Sequence, residues 1–279
     1  MIKEVHIIGL GLMGTNLGIK LVEKGIKVSG KDISKNNYER ALNYKAINLT
    51  HNEDSIYDLT VLAMPINEII SFLKKDMIEI NSKVLIDLGG TKEIICKNMN
   101  KLEIPSIGGH PLCGIADNQT WDPMPEMYNQ APFLLCETES STSDAKNIAL
   151  DFVELINSKP IWINPKKHDE LISLTSHLPH ILSSALVSTA MQKHDIDELL
   201  DLASGGFDGA TRLSRTSPNM ISDMYLTNDL NVKDLVRDLI SELEKIILIE
   251  DEKVMINYLS KTVEWRRALA NKFGERKLS

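Results

Sequence analysis

The chain has 279 residues, 43% of them hydrophobic and 25% charged, enough to bury a sizeable core in one large or two ordinary domains. A formal net charge of −8 argues against a nucleic-acid or anionic-membrane surface, so an acidic ligand has to be met by a local cationic pocket. Cys96, Cys113 and Cys136 are widely spaced and lack CxxC pairing, which offers neither a metal site nor an even disulfide set and fits a reducing cytoplasm.

The apolar N-terminus is broken early by glycines and has no cleavage pattern, so it reads as a first strand. No run is long enough to span a bilayer. From there β-rich runs alternate with amphipathic stretches: VHIIGL, TNLGIKLVEKG, IKVSGKD, LTVLAM, KVLIDL, IPSIGG, APFLLCE and KPIWINP. Such alternation predicts a doubly wound parallel sheet of Rossmann-like type, over residues 1–165. From 166 to 279 the β-rich runs stop. Two long stretches carry apolar residues at helical spacing, on either side of the Gly- and Pro-containing ASGGFDGATRLSRTSP, which predicts an all-helical domain.

VHIIGLGLMGTNLGIKL sets Gly9, Gly11 and Gly14 between a strand and a helix, the context a GxGxxG loop requires. Backbone from Gly9 through Leu10, Gly11, Leu12 and Met13 to Gly14 would then cradle a pyrophosphate at the helix N-terminus. Asp32, about twenty residues on at the end of the second strand, suits the ribose hydroxyls of NAD. Lys31 beside it keeps NADP as the less favoured cofactor. MPINEI is expected to close the fourth strand, with Met64 and Pro65 forming another wall of the cofactor site.

Four later stretches hold polar groups that composition does not explain: DLGGTK at 87–92, GGHPLCG at 108–114, HDELISLTSHLPH at 168–180 and GGFDGATRLSRTSPNMISD at 205–223. The first two follow strands and so fall at the sheet edge where open α/β folds bind ligands. In SHLPH, Pro179 removes a backbone donor and is expected to kink its helix, with His177 and His180 on one face.

Taken with GLGLMG, these motifs resemble, over essentially the whole chain, the prephenate and arogenate dehydrogenases of tyrosine biosynthesis. The resemblance implies a Rossmann-like domain followed by a helical domain through which two subunits dimerise. It also implies NAD-dependent oxidative decarboxylation of a small-molecule substrate. By similarity His110 is the partner of the ring hydroxyl, and His180 orients cofactor and substrate groups. Arg212 matches a carboxylate-binding arginine, a task that suits a guanidinium fork. His168 and His177 match recurring positions, with a core or interface role the competing reading. Arg215 is a further substrate-site candidate, although a solvated face is favoured for both it and Lys92.

The sequence departs from that pattern in places. A serine that helps hold the hydroxyl and the catalytic histidine is Gly90 here, and the neighbouring Thr91 is expected either to substitute for it or to leave one hydrogen bond missing. An acidic residue after the HP motif is Ala116, followed by Asp117, which bears on prephenate against arogenate; GGFRD becomes GGFDG, and a tryptophan becomes Ile221. NQTWDPMPEMYNQ, with Trp121, reads as a surface loop near the substrate mouth. The stripe Leu235, Leu239, Leu243, Ile246 and Ile249 exceeds what one partner helix needs and predicts a dimer face.

Two other readings compete. GLGLMG also resembles the β-hydroxyacid dehydrogenases, yet the long helix lacks their lysine setting and carries histidines instead. Gly90 and Ala116 would suit a nucleotide-binding regulator without turnover, for which His110, His180 and Arg212 have no chemical use.

Overall fold

The computed structural model describes residues 1–52, 54–75, 80–113 and 122–273. Ala116, Asp117 and Trp121 lie outside the described residues. The chain opens with β1 (Glu4–Ile8), α1 (Leu12–Glu23), β2 (Lys27–Lys31), α2 (Lys35–Asn43), β3 (Leu59–Leu62), α3 (Ile66–Leu73), β4 (Leu85–Asp87), α4 (Glu93–Met99) and β5 (Ser106–Pro111). It continues with β6 (Pro132–Glu137), α5 (Ser143–Leu155) and β7 (Lys159–Trp162). The seven strands form one sheet in the order β2-β1-β3-β4-β5-β6-β7.

All neighbours are parallel except β5 and β6, which run antiparallel. A parallel pair needs a helical crossover. Between β5 and β6 the described residues hold only the short 3-10 turn Pro125–Tyr128, so the chain returns alongside itself. The doubly wound, Rossmann-like sheet expected from the sequence is present, parallel but for this one pair. Met64 and Pro65 follow the third strand rather than the fourth, because the described residues between α2 and β3 hold no strand of the sheet.

Strand order reverses at β1, with β2 on one side and β3 on the other. Such a reversal opens a crevice at the carboxyl ends of the strands. Register brings those ends together: Ile8 pairs with Lys31 and with Leu62, and Leu62 with Asp87. The segments that follow therefore share one edge. Beneath it lies an apolar core that includes Val5, Ile7, Leu17, Val28, Val61, Ile86 and Phe133, all fully buried. In α3, Ile66, Ile69, Ile70 and Leu73 are buried at helical spacing, which fixes that helix against the sheet.

Past β7 the described residues are helical: α6 (Pro165–Ile172), a π turn (Ser173–His177), α7 (Leu178–Lys193), α8 (Ile196–Leu202), α9 (Gly205–Thr211), a 3-10 turn (Arg212–Arg215), α10 (Pro218–Thr227), α11 (Asp229–Ile247) and α12 (Glu252–Phe273). The glycine-rich segment read as a separator thus forms α9 and the turn after it. No helix among the described residues is long and apolar enough to cross a membrane.

Candidate functional site

The first part of the site is the loop after β1. Gly9 has φ of +100°, a conformation that glycine adopts without steric cost. A Cβ on Gly14 would stand 1.9 Å from the Gly9 carbonyl oxygen, so the loop and α1 meet only if that residue is glycine. At Gly11, in contrast, a Cβ would find nothing within 4 Å. Gly11 caps α1 without any side-chain hydrogen bond, which leaves the first backbone N–H groups of the helix available to an anion. An open cradle over a helix N-terminus fits a pyrophosphate.

Leu10 is buried in the core and offers only its backbone, as its N–H donates to Asp32 Oδ2 at 2.6 Å. Leu12 and Met13 begin the helix beside it, and the Met13 carbonyl is held by the Tyr128 hydroxyl at 2.9 Å. Asp32 Oδ1 accepts from Ser34 N–H at 2.7 Å, so the carboxylate is fixed in the wall of a cavity of about 770 Å³. Gly9, Gly11, Lys31, Asp32, Met64 and Pro65 all line that cavity. Its size, and the Asp32 carboxylate at a strand end in its wall, fit one end of a dinucleotide.

The second part sits further along the same edge. His110 lies near the end of β5, paired with Leu134 of β6. Its Nδ1 is 2.9 Å from His168 Nε2, and His168 Nδ1 is 2.7 Å from Asp169 Oδ1. Asp169 in turn accepts the backbone N–H groups of Lys92 (2.7 Å) and Glu93 (2.9 Å), which ties α6 to the start of α4. Asn228 donates to the Asp169 carbonyl at 2.9 Å and lies 3.3 Å from His177 Nδ1.

Burial, and then the neighbouring His168, Lys92 and His177, push His110 well below the usual histidine range. His168 is lowered chiefly by burial, His177 is pushed down to about 4 by burial, and His180 is lowered by burial despite its hydrogen bond to the Leu213 carbonyl. These rings are neutral near pH 7 and able to accept hydrogen bonds. Arg212 opens the turn that carries Leu213, and its charge also lowers His180. The structure thus gathers His110, His168, His177, His180 and Arg212 in one neighbourhood. Arg215 is exposed.

Two expectations change. Lys92, read as a solvated side chain, is completely buried and ion-paired with the equally buried Asp87. Asp87 also accepts from Gly89 N–H (2.7 Å) and Gly109 N–H (3.0 Å), which supplies the extra hydrogen bonds a buried pair needs. Thr91 is fully buried and faces Thr227 of α10. The Thr91 hydroxyl lies 3.0 Å from the Thr227 hydroxyl, which in turn donates to the Asp223 carbonyl at 2.6 Å. Gly90 itself faces the ring, as a Cβ there would stand 3.8 Å from His110 Nε2. Pro179, which has no backbone N–H, follows a π turn in which the Leu178 N–H donates to the Ser173 carbonyl, and the widened turn ends on His177.

Asp87, Asp169 and Asn228 were not singled out from sequence. An acid directly after a histidine in HDEL, and another at the strand end in DLGGTK, were the available signals.

Family models match in tandem. One described as the nucleotide-binding domain of prephenate dehydrogenase covers residues 17–162, and one described as the dimerization domain of prephenate dehydrogenase covers 164–262. A cyclohexadienyl dehydrogenase of Zymomonas mobilis is 26% identical, with 96% of each chain covered. A prephenate dehydrogenase of Bacillus subtilis is 27% identical, over 96% of this chain and 76% of the relative. A solved prephenate dehydrogenase from A. aeolicus, in complex with hydroxyphenyl propionate and NAD+, shares the fold with a TM-score of 0.85 at 24% identity, covering 96% of this chain and 99% of that one.

Proposed function

The chain belongs to the prephenate dehydrogenase family, and on that premise we propose that it carries out NAD-dependent oxidative decarboxylation of prephenate, of arogenate or of both. The observation that carries the reading is His110, a neutral ring at the strand edge with its Nε2 side toward Gly90, on the same edge as the glycine loop and Asp32.

When bound, NAD supplies the hydride acceptor. The glycine loop from Gly9 to Gly14 and the α1 N-terminus hold its pyrophosphate, Asp32 holds the adenine ribose, and Met64, Pro65 and Gly90 form further walls. A carboxylate at 32 repels a 2′-phosphate, so NAD is preferred to NADP. His110 accepts a hydrogen bond from the substrate ring hydroxyl and takes up charge as hydride leaves that carbon and the oxygen becomes carbonyl-like. The ring carboxylate then departs as carbon dioxide, its bonding electron pair completes the aromatic ring, and the oxygen keeps its proton as a phenol. Arg212 binds a substrate carboxylate through its guanidinium fork. His180 orients groups from the helical side, with His168, His177 and Arg215 around the substrate region.

The division we propose is 1–165 for the cofactor and 166–279 for substrate and dimerisation. Exposed apolar residues on α11 and α12 support a homodimer: Leu243 is 47% and Ile247 79% exposed, and none of the stripe from Leu235 to Ile249 is buried. The test is direct. Protein mixed with NAD and either prephenate or arogenate should produce reduced cofactor, and no absorbance change with either at high protein concentration overturns the reading.

A further inference from the structure

Asp169, His168 and His110 form a line that ends at Gly90. Both carboxylate oxygens of Asp169 already accept backbone protons, from Lys92 and Glu93. The close contact between Asp169 Oδ1 and His168 Nδ1 therefore requires the proton to sit on the ring. A neutral His168 then presents a lone pair at Nε2, and the 2.9 Å contact beyond it requires His110 Nδ1 to be the donor. That leaves His110 Nε2 bare. It is the nitrogen that faces Gly90.

We propose that His168 and Asp169 are positioning residues that lock His110 in the Nδ1–H tautomer, so that Nε2 is held ready to accept a hydrogen bond from a substrate hydroxyl. The proposal rests on the role given to His110 above. Neither residue touches the hydroxyl partner's free nitrogen; they act through the opposite side of the ring. The arrangement is rigid because three elements brace it: β5 carries His110, α6 carries the pair, and the start of α4 donates two backbone hydrogen bonds to the carboxylate. Asn228, at the head of α11, adds a fourth tie through the Asp169 carbonyl.

The charged and titratable groups around the line agree with this assignment. Lys92 stands on one side, paired with Asp87, and His177 on another. The Lys92 ammonium and the histidines disfavour a second proton on His110, while the Asp169 carboxylate opposes that only through His168. Without His168 either nitrogen of His110 could carry the single proton, and the Nε2–H form could not accept from a hydroxyl.

The test pairs histidine 15N NMR of the resting protein with steady-state kinetics of His168→Leu and His168→Gln. The wild type should show His110 protonated at Nδ1. His168→Leu, which cannot accept, should move the proton partly or wholly to Nε2 and lower kcat by about 100-fold with KM within about twofold. His168→Gln offers a side-chain carbonyl and should keep the Nδ1–H form and recover kcat to within about tenfold of wild type. A wild-type His110 protonated at Nε2, or a folded His168→Leu with unchanged tautomer and kcat, overturns the proposal. Should His168→Leu fail to fold, the wild-type tautomer and the Gln variant decide. The tautomer is read without substrate, so a wild type that turns over neither prephenate nor arogenate would refute the functional reading and leave this one standing.

Discussion

From Glu4 to Trp162 the protein buries apolar side chains against its own sheet, whereas from Pro165 to Phe273 it buries mostly polar ones. Among the described residues of the helical region the buried apolar side chains are three: Ile172, Met224 and Val232. The buried polar ones there are nine, among them His168, Asp169, His177, His180 and Asn228. A polar interior is stable only where its groups are hydrogen-bonded, and here many of those bonds serve the histidine cluster. Meanwhile the apolar side chains of α11 and α12 face outward, with Leu230 at 74% and Trp265 at 78% exposure. The sheet region closes on itself; the helical region keeps polar groups inside and leaves apolar ones outside, on the face we propose for a second subunit.

The largest effect should come from that outside face. Leu243→Arg combined with Ile247→Arg should weaken self-association by about 100-fold or more, read by sedimentation, and lower helical circular dichroism while nucleotide binding persists. An unaltered dimer would place the interface elsewhere. The converse change, Gly14→Ala, strikes the sheet region. Its Cβ would collide with the Gly9 carbonyl, so we expect a loss of about 1–3 kcal/mol in denaturant unfolding and much weaker NAD binding, with self-association intact.

Acid should sharpen the contrast more gently. In the unfolded chain these imidazoles titrate near 6.5, and in the folded protein His6 and His177 titrate at about 4. Between those values only the unfolded chain binds the extra protons, so stability is full above pH 6.5 and falls as pH drops toward about 4. His6 and His110 are lowered over the larger apolar core of the sheet, whereas His168, His177 and His180 are lowered where only three apolar side chains among the described residues are buried, so helical signal should be lost before sheet signal in a pH titration. Simultaneous loss would mean the histidine interior does not set the weaker half.

Much of this was legible in the sequence because it is local. A glycine loop between a strand and a helix, an acid one strand later, and apolar residues at helical spacing are read within short windows. What was not legible depends on distant partners. Lys92 looks like a surface lysine until Asp87, five residues away across a turn, is seen to bury with it. Thr91 follows Gly90 in sequence, but its contact with Thr227, 136 residues later, is not visible there. Asp169 is an ordinary helical acid until α4 presents two backbone donors to it. The reversed direction of β6 goes with a connection whose described residues hold no crossover helix, which strand patterns alone do not reveal.

The central claim is that His110 serves the reacting hydroxyl rather than holding the substrate. Steady-state kinetics of His110→Asn with NAD and the better of the two substrates test it most directly. We expect a fall in kcat of about 100-fold or more with KM nearly unchanged. A wild-type kcat with a raised KM would contradict it.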